Sequence, residues 1–461
     1  MPTQCSAEQL QFSCVERRRV VAAFDGGEVT SDAGALLLMR TERAIGLLDR
    51  LAACFTDRRS PSNTEHAVRT LLGQRVVGIA AGYEDLNDHD ALRHEPLWGA
   101  LLGKLESKRS ACAPLAGKST LNRLELSVSE QATRYHKIGH DAAAIEGLFV
   151  DLFLEAHRRA PRQIILDLDA TDDPLHGTQE DRFFHGYYDG YCYLPLYIFC
   201  GRHLLVAKLR RSDIDASAGA LEEVERVVTQ IRARWPKVRI ILRADSGFAR
   251  EPLMNWCENE GVDYVFGLAR NSRLQRVLGR ALHQAKAMAE RTGAPARVFR
   301  DFRYATRKSW SRRRRVIGKA EYLADKANPR FVVTSLSGEE WPAQRLYEQL
   351  YCARGEMENR IKEAQLELFA DRTSSHTFKA NQLRLWLSSF AYVLIEALRR
   401  LGLRNTALAL ATAGSIRLKL IKIGALISVS VRRVKVAMSS AHPHQPEFIA
   451  AFHALGAAVR A

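Results

Sequence analysis

Two apolar segments that each end in aspartate constrain the fold of this chain more than any other feature. Residues 163–169 read Gln-Ile-Ile-Leu-Asp-Leu-Asp, and residues 238–245 read Val-Arg-Ile-Ile-Leu-Arg-Ala-Asp. Both have the length and the β-branched content of a strand in a largely buried sheet. Open α/β sheets bind ligands at the carboxyl ends of their strands, so Asp169 and Asp245 are expected where a ligand would lie.

The elements around these two segments predict a mixed α/β sheet. Strands are expected at Tyr193–Phe199, His203–Leu209 and Tyr264–Phe266, and helices at 218–235 and 250–260. Short connections between the first strands favour hairpins, whereas the later strands are joined by helical crossovers. This order is typical of the ribonuclease-H-like fold, a mixed sheet flanked by helices on both faces.

Changes in the hydrophobic pattern divide the 461 residues into four regions. We expect a helical N-terminal region over 1–145, and an α/β core over 146–270 and 346–400. A β-rich, basic insertion is expected at 271–345, followed by a helical, basic C-terminal region at 401–461. A long helix is predicted where the chain returns to the core, from Trp341 to about residue 368.

The charge of the chain indicates a polyanionic partner. Lys and Arg number 68 against 52 Asp and Glu, which gives a net charge of +16 and a pI of about 9.6. Each phosphate that Lys or Arg neutralises releases counterions, so a basic protein of this kind is suited to nucleic acid. A merely basic soluble protein is the alternative. The run Arg312, Arg313, Arg314, Arg315 is predicted to bind phosphates, and a solvated charge run is the alternative there.

Cysteine usage and hydropathy favour a cytoplasmic protein. The eight cysteines are scattered without a Cys-x-x-Cys pair, which argues against a zinc ribbon and fits free thiols in a reducing compartment. The N-terminus has polar residues where a secretory signal would be basic and then apolar. The longest apolar run, Leu387–Leu398, contains Ser388, Ser389 and Glu396 and is too short to span a bilayer. We therefore expect no membrane attachment.

The paired aspartates point to metal chemistry. Two carboxylates held side by side repel each other unless a cation lies between them, and Mg²⁺ prefers oxygen ligands. Two such ions can activate water or a 3′-hydroxyl and stabilise the leaving oxygen in phosphodiester cleavage. The alternative is that Asp169 and Asp245 only cap the turns that follow their strands.

A third group lies on the long predicted helix. Tyr351, Arg354 and Glu358 are spaced i, i+3 and i+7, which places them within about 60° on one helix face. Such a face can supply a metal ligand and contact a phosphate. A solvated face with an intrahelical pair between Arg354 and Glu358 is the alternative.

An aromatic segment over residues 183–191 precedes the second core strand. It reads Phe-Phe-His-Gly-Tyr-Tyr-Asp-Gly-Tyr and has two interpretations. Its rings are suited to stacking on a flipped base, or to forming the core of a hairpin.

Three motifs together resemble the DDE transposases of bacterial insertion sequences. Leu166–Thr171 resembles the Asp-x-Thr motif at the end of the first core strand, and Arg243–Phe248 resembles the Ala-Asp-x-Gly-Phe motif. Tyr351, Arg354 and Glu358 resemble the tyrosine-arginine-glutamate-lysine signature of a subgroup with a β-rich insertion. The resemblance covers roughly residues 20–440.

This resemblance implies a catalytic site. Asp169, Asp245 and Glu358 would be the catalytic residues and would bind two Mg²⁺ ions, with Mn²⁺ as a substitute. Tyr351 and Arg354 would contact DNA near the scissile phosphate.

The third motif departs from the signature at one position. The signature has a lysine seven residues after the glutamate, where this chain has Gln365. Lys362 lies one helical turn after Glu358 and is the candidate replacement as a DNA contact.

The first motif contains two aspartates whose roles the spacing leaves open. Asp167 and Asp169 are two residues apart on a strand and point to the same face. The position nearer the carboxyl end and the Asp-x-Thr context favour Asp169 as the metal ligand. Asp167 and Thr171 are then expected to orient the metal ligands without binding the metal themselves.

The resemblance implies a bacterial, nucleoid-associated transposase, in which residues 1–145 would bind the DNA ends and the core at 146–270 and 346–400 would be catalytic. It would bind the terminal inverted repeats of its element as double-stranded DNA, cut phosphodiester bonds and join the freed ends to target DNA, acting as a homodimer in the DNA complex. Two alternatives stay open. One is a structure-selective endonuclease of the same fold, and the other is a non-catalytic DNA-binding protein derived from a transposase.

Overall fold

A computed structural model describes residues 8–127, 136–323 and 326–458 of the chain. The chain divides into two compact units. The terminal unit combines residues 1–140 with 390–461, and the central unit comprises residues 141–389. Within the described ranges, no helix is both long enough and apolar enough to cross a membrane.

The first part of the terminal unit consists of helices with short strands between them. Its elements are β1 (Leu10–Val15), β2 (Arg18–Ala22), β3 (Val29–Thr30), α1 (Ala35–Ile45), α2 (Leu47–Ala53), β4 (Phe55–Asp57), α3 (Val68–Ala81), α4 (His89–Leu92), α5 (Pro96–Leu101), α6 (Lys118–Glu125) and β5 (Ile138–His140). Single 3₁₀ turns lie at Pro61–Asn63 and Leu86–Asp88. The exposed hairpin of β1 and β2 departs from the helical pattern expected for this region.

The central unit alternates strands and helices after one initial helix. Its elements are α7 (Ala142–Glu155), β6 (Gln163–Ala170), β7 (Asp173–Pro174), β8 (Phe183–His185), β9 (Gly190–Tyr193), β10 (Leu196–Cys200), β11 (His203–Lys208), α8 (Ala220–Arg234), β12 (Arg239–Ala244), α9 (Glu251–Asn259), β13 (Asp263–Leu268), α10 (Ser272–Thr292), β14 (Ala296–Tyr304), β15 (Arg314–Leu323), β16 (Lys326–Ala327), β17 (Arg330–Thr334), α11 (Ala343–Arg345) and α12 (Gly355–Lys362). A 3₁₀ turn at Ser246–Phe248 follows β12.

A single large sheet organises the central unit. Its strand order is β11-β10-β6-β12-β13-β17-β15-β14, and β16 pairs with β15. β6, β12 and β13 are parallel to one another, whereas β10 is antiparallel to both of its neighbours. The predicted mixed α/β sheet flanked by helices is therefore confirmed.

The sheet buries apolar side chains on both faces. On one face, Leu166 and Leu168 of β6 lie in a core that includes Val224 of α8 and Leu253 of α9. On the other face, residues of β12, β13 and β17 pack against the helical segment at 343–367. Because side chains alternate along a strand, Asp167 and Asp169 lie on this second face.

The segment between β13 and the long helix adds to the same sheet. β17 pairs with β13, so that Thr334 lies opposite Val265, and β15 and β14 continue outward from β17. The segment begins with the 21-residue helix α10, which packs on β14 and β15.

The chain then passes through one long helix into the second part of the terminal unit. The elements are α13 (Phe378–Leu398), α14 (Ala413–Ile416), β18 (Ala425–Ser430), β19 (Arg433–Met438) and α15 (Gln445–Ala458), with π-helical turns at Arg399–Leu403 and Arg417–Ile421. The helical prediction for 401–461 is wrong at 425–438, where β18 and β19 form a hairpin beside β3. The physical reason is the period-two alternation of polar and β-branched residues in that segment.

Candidate active site

The carboxyl ends of β6 and β12 place the two predicted aspartates side by side. Leu168 lies opposite Ala244 in the parallel pair, so Asp169 and Asp245 come next on neighbouring strands. Asp245 Oδ1 accepts a hydrogen bond of 2.8 Å from the backbone N–H of Gly247, which caps the following 3₁₀ turn. Asp245 therefore fulfils the capping interpretation, and no described residue donates a hydrogen bond to its Oδ2.

An open cleft of about 640 Å³ lies at this edge of the sheet. It brings together residues of all three motifs, and its lining consists of Asp169, Ala170, Thr171, Asp172, His185, Tyr187, Tyr188, Leu194, Ala216, Asp245, Arg354, Glu358, Ile361, Lys362 and Gln365. Polar and charged groups dominate the lining around the two aspartates. Four carboxylates against two cations make the described lining net acidic, so the cleft suits a cationic ligand.

The helical segment at 343–367 carries the third motif to the cleft. It runs from α11 through a π-helical stretch at Leu346–Tyr351 and a 3₁₀ turn at Cys352–Arg354 into α12, and ends in a π-helical stretch at Glu363–Glu367. The predicted long helix is present, with irregular turns that occur frequently at functional sites.

Arg354 bridges two carboxylates of the cleft. Its Nη1 lies 3.3 Å from Asp169 Oδ2, and its Nη2 lies 2.6 Å from Glu358 Oε1. The intrahelical pair that was the alternative interpretation is therefore present, and the same guanidinium also binds the first aspartate. Arg354 supplies positive charge where the predicted acids meet.

Negative charge is concentrated around Asp169. Burial raises the pKa of Asp169 to about 6, with further upward contributions from Asp245 and Glu358, although Arg354 opposes the shift. A carboxyl group in this position gains from any cation that approaches it. The electrostatics therefore favour binding of a cation at the sheet edge.

The carboxylates of Asp169, Asp245 and Glu358 are of the type that binds a hard divalent cation, but in this conformation the three are not close enough to share one ion. Among the described residues, no three His, Cys, Asp or Glu side chains are spaced to bind one metal ion. Asp169 and Asp245 on adjacent strand ends offer the carboxylate oxygens that Mg²⁺ prefers. Glu358, which is 45% exposed, is bound by Arg354 and would join them only after leaving that contact.

Asp167 is engaged elsewhere. Its two oxygens accept hydrogen bonds of 2.5 Å and 2.7 Å from Nε and Nη2 of Arg243, and both side chains are buried. Arg243 Nη1 also donates to the carbonyl of Leu350, at 2.6 Å. Burial raises the pKa of Asp167, opposed by Arg243. This bidentate pair joins β6, β12 and the third-motif helix behind Asp169.

Sequence reasoning missed Arg243, although a signal existed. In the parallel pair, Arg243 lies directly opposite Asp167, and both point to the same face of the sheet. An acid and a base two residues before the two motif aspartates, on strands expected to be neighbours, indicate such a pair.

Gln365 stabilises the loop that follows β6. Its Nε2 donates to Asp173 Oδ1 at 2.8 Å and to the carbonyl of Asp172 at 3.1 Å. Asp173 is completely buried, and burial raises the pKa of its carboxyl well above the usual value. The residue at the expected lysine position thus makes hydrogen bonds within the protein, whereas Lys362 is exposed in the cleft.

Tyr351 packs against the turn that carries Asp245. A Cβ atom at Gly267 on β13 would lie 2.6 Å from the Tyr351 hydroxyl and 2.8 Å from the backbone nitrogen of Ser246. Glycine at this position therefore allows the aromatic ring and the aspartate turn to approach each other closely.

The arginine run divides into exposed and buried members. Arg314 is only 2% exposed and pairs with Glu251 and Glu258, and the buried Arg315 pairs with Asp301 at 2.6 Å. Arg312 and Arg313 are exposed. Arg312 Nε also lies 3.3 Å from Glu258 Oε2, so burial is what separates the two halves of the run. In this conformation Arg314 and Arg315 are buried against carboxylates, which leaves the predicted phosphate contacts to the exposed Arg312 and Arg313.

The aromatic segment forms the hairpin of β8 and β9, as one of its two interpretations expected. Its rings are half-buried or exposed, so they do not form a buried core. Tyr187 and Tyr188 lie in the connection of this hairpin and line the cleft. Tyr187 is 85% exposed, which leaves its ring accessible to a ligand in the cleft.

A family model described as "Transposase DDE domain group 1" matches residues 12–459, which is nearly the whole chain. A search for similar curated proteins found no match.

Proposed function

The chain belongs to the DDE transposase family, and from that premise we propose that it binds the terminal inverted repeats of an insertion sequence, cuts DNA there and joins the freed ends to target DNA. The observation that carries this proposal is the pair Asp169 and Asp245 at the carboxyl ends of adjacent parallel strands, in one cleft with Arg354 and Glu358. The order β11-β10-β6-β12-β13, with β10 antiparallel, supports a ribonuclease-H-like core.

DDE transposases generally use divalent metal ions. Asp169 and Asp245 are the residues that would hold such an ion, Mg²⁺ or Mn²⁺, and Glu358 would complete the set. A bound ion would lower the pKa of a nucleophilic water or 3′-hydroxyl and neutralise charge at the phosphate.

The other cleft residues would position the DNA. Arg354 presents a planar guanidinium, which binds a phosphate through two parallel hydrogen bonds. A phosphate that takes over Arg354 would release Glu358 towards the two aspartates. Lys362 would contact the backbone one turn further along the helix, and the accessible ring of Tyr187 would stack on an unpaired base.

Asp169→Asn tests the proposal directly. The amide keeps the size of the side chain but removes the negative charge, so cleavage of an end-labelled terminal repeat in Mg²⁺ should fall at least about a thousandfold, in line with loss of metal-assisted catalysis. Binding of the same duplex in EDTA should be unchanged. Cleavage at the wild-type rate by this variant would refute the assignment.

The two alternative functions give different products. A structure-selective endonuclease would cut the labelled duplex but would not join it to a target plasmid. A non-catalytic DNA-binding protein would bind the duplex and leave it intact at every Mg²⁺ or Mn²⁺ concentration. A transposase yields joined products, which migrate with the plasmid on a denaturing gel.

A homodimer in the DNA complex is part of the proposal, because two ends of the element must be held together for joining. Sedimentation of the protein with a terminal-repeat duplex tests it. A complex of two chains is expected, and a complex of one chain and one duplex at all ratios would oppose it.

A further inference from the structure

A second cleft, of about 860 Å³, lies wholly within the terminal unit. Its described lining comes from residues 59–66, 93–94, 109–115, 120–123 and 137–138. It contains none of the residues that the three motifs predicted, so the proposed catalytic site leaves it without a role.

The described lining of this terminal-unit cleft is strongly basic. Five Arg or Lys residues line it against a single carboxylate, Glu65, and the cations are Arg59, Arg93, Arg109, Arg123 and Lys137. Glu65 is already neutralised, because Lys104 Nζ lies 2.7 Å from its Oε1 and Arg109 Nε lies 3.4 Å from its Oε2. The cleft therefore presents uncompensated positive charge.

Two of these cations are available to a ligand. Arg123 of α6 and Lys137 are both exposed, and among the described residues no carboxylate forms a salt bridge with either side chain. Arg59, in contrast, binds Asp57 through both Nε and Nη2. Arg93 is half-buried, and its Nε lies 3.1 Å from His94 Nε2. Among the described residues, the exposed cations without a carboxylate partner thus lie on α6 and immediately before β5.

A buried histidine also lines the cleft. His66 is 8% exposed at the cleft. Burial lowers its pKa to about 4, and nearby Lys104, Arg59 and Arg109 lower it further, against the opposing charge of Glu65. The imidazole of His66 therefore stays neutral at physiological pH and adds no positive charge to the cleft.

The remaining lining suits phosphate groups rather than bases. Hydroxyl and amide side chains of Ser60, Asn63, Thr64, Ser110 and Thr120 face the cleft, and its described lining contains no Phe, Tyr or Trp. Side chains of these types, with Arg and Lys, make the contacts to phosphate oxygens that fix the register of a protein on DNA. An aromatic platform for stacked bases is missing from that lining.

We infer that the terminal-unit cleft binds the phosphate backbone of double-stranded DNA, with Arg123 and Lys137 as its principal contacts. This inference rests on the proposed function, which makes DNA the polyanion that the chain encounters. Contacts of this type carry no base sequence, so the cleft contributes affinity and register for any duplex, including the terminal repeat.

The test replaces both exposed cations with neutral residues of similar size, Arg123→Gln with Lys137→Gln. Kd is measured by fluorescence anisotropy in EDTA across a salt series, with a terminal-repeat duplex and a scrambled duplex of equal length. Two lost phosphate contacts should weaken binding on the order of tenfold and flatten the slope of log affinity against log salt by about 1.8 for both duplexes. The single variant Lys137→Gln should flatten the slope by about 0.9.

A matched control removes two exposed arginines from the central unit, Arg276→Gln with Arg280→Gln on α10, and so makes the same change in net charge. Its affinity and slope should equal those of the wild type. An unchanged slope in the cleft variants, or an equal loss in the control, would overturn the inference. Cleavage by the wild type with an unchanged cleft variant would reject the cleft and retain the transposase. Failure of the wild type to bind either duplex would reject both.

Discussion

The two aspartates of the first motif differ in what their carboxylates contact. Asp167 has both oxygens in the buried pair with Arg243, whereas Asp169 faces the cleft with Arg354, Asp245 and Glu358 around it. Removal of one partner from a buried pair leaves the other charge uncompensated. The two positions should therefore separate stability from catalysis.

Asp167→Asn should destabilise the central unit by about 3–5 kcal/mol, because it leaves the buried guanidinium of Arg243 without its counter-charge. Cleavage should fall but persist, since the cleft carboxylates stay in place. Urea unfolding and the terminal-repeat cleavage assay measure the two effects. The matched variant Asp169→Asn should show the opposite pattern, and full activity in Asp169→Asn with none in Asp167→Asn would reverse the assignment.

Arg314 and Arg313 are adjacent residues with different environments. Arg314→Ala leaves Glu251 and Glu258 without the buried guanidinium that binds both, so stability should fall by about 3–5 kcal/mol. Arg313→Ala removes an exposed side chain and should change stability by less than about 0.5 kcal/mol. Denaturant unfolding compares them, and equal effects would show that Arg314 is not a structural residue.

The carboxylates of Glu251 and Glu258 make the stability difference between the wild type and Arg314→Ala depend on pH. Burial raises the pKa of Glu251 and of Glu258, but the hydrogen bonds from Arg314 outweigh it and leave both values below the usual range. A lowered pKa in the folded state contributes stability above the unfolded value and loses it as pH falls through the folded value. The advantage of the wild type over Arg314→Ala should therefore shrink below about pH 4. A difference that stays constant between neutral and acidic pH would contradict this origin.

At the scale of elements, the positions of the strands were easier to predict from the sequence than the contacts of individual side chains. β6 and β12 follow from apolar runs, and the long helix predicted from Trp341 to about residue 368 is present at 343–367. The burial of Arg314 was not predictable, because its partners lie 63 and 56 residues away and only the folded sheet brings them together. The π-helical turns likewise depend on packing that one sequence does not display.

In the candidate site, too, residues were easier to predict than their contacts. The motif residues Asp169, Asp245 and Glu358 were identified from the sequence, and one cleft contains all three. The contacts of Arg354 with both Asp169 and Glu358 were not identified in full, because only the intrahelical half of that bridge has a sequence signal.

The approach of β13 to the third-motif helix makes Gly267 a sensitive position. Gly267→Ala would place a methyl group 2.6 Å from the Tyr351 hydroxyl and 2.8 Å from Ser246 N, so the turn carrying Asp245 must shift. Displacement of a catalytic group by about 1 Å can cost on the order of a hundredfold in rate. We expect that loss in cleavage with little change in DNA affinity.

Gly279 provides the matched control for this substitution. It lies inside α10, and a Cβ there would have no atom within 4 Å. Gly279→Ala should stabilise the protein by about 0.5–1 kcal/mol through helix propensity and leave cleavage unchanged. Equal cleavage rates for the two alanine variants would show that the contact at Gly267 does not hold the aspartate turn.

At the scale of the whole molecule, the two ends of the chain build one unit. The backbone N–H groups of Ala33 and Gly34 donate to the carbonyls of Ile423 and Ile421, each at 3.1 Å. The completely buried Asp32 binds Lys422 at 2.7 Å, across 390 positions of sequence. The backbone donors of Ala33 and Gly34 therefore have these acceptors only when residues 421–423 are in place.

Gly34→Ala tests whether this closure is required. A Cβ at Gly34 would lie 1.6 Å from the carbonyl oxygen of Leu420 and 2.7 Å from Cα of Ile421, both of them backbone atoms that cannot turn aside. The two ends must then separate, which should cost more than the roughly 1–3 kcal/mol of ordinary overpacking. Gly26→Ala, in the same unit with no atom within 4 Å of the added Cβ, is the control and should melt as the wild type does.

Limited proteolysis followed by mass spectrometry should show faster cleavage within 8–127 and 390–458 in Gly34→Ala, while residues 141–389 stay protected. The basic cleft lies in the unit that this substitution opens, so the DNA affinity of Gly34→Ala should fall as well. Wild-type protease resistance and DNA affinity in Gly34→Ala would mean that the two ends of the chain fold independently.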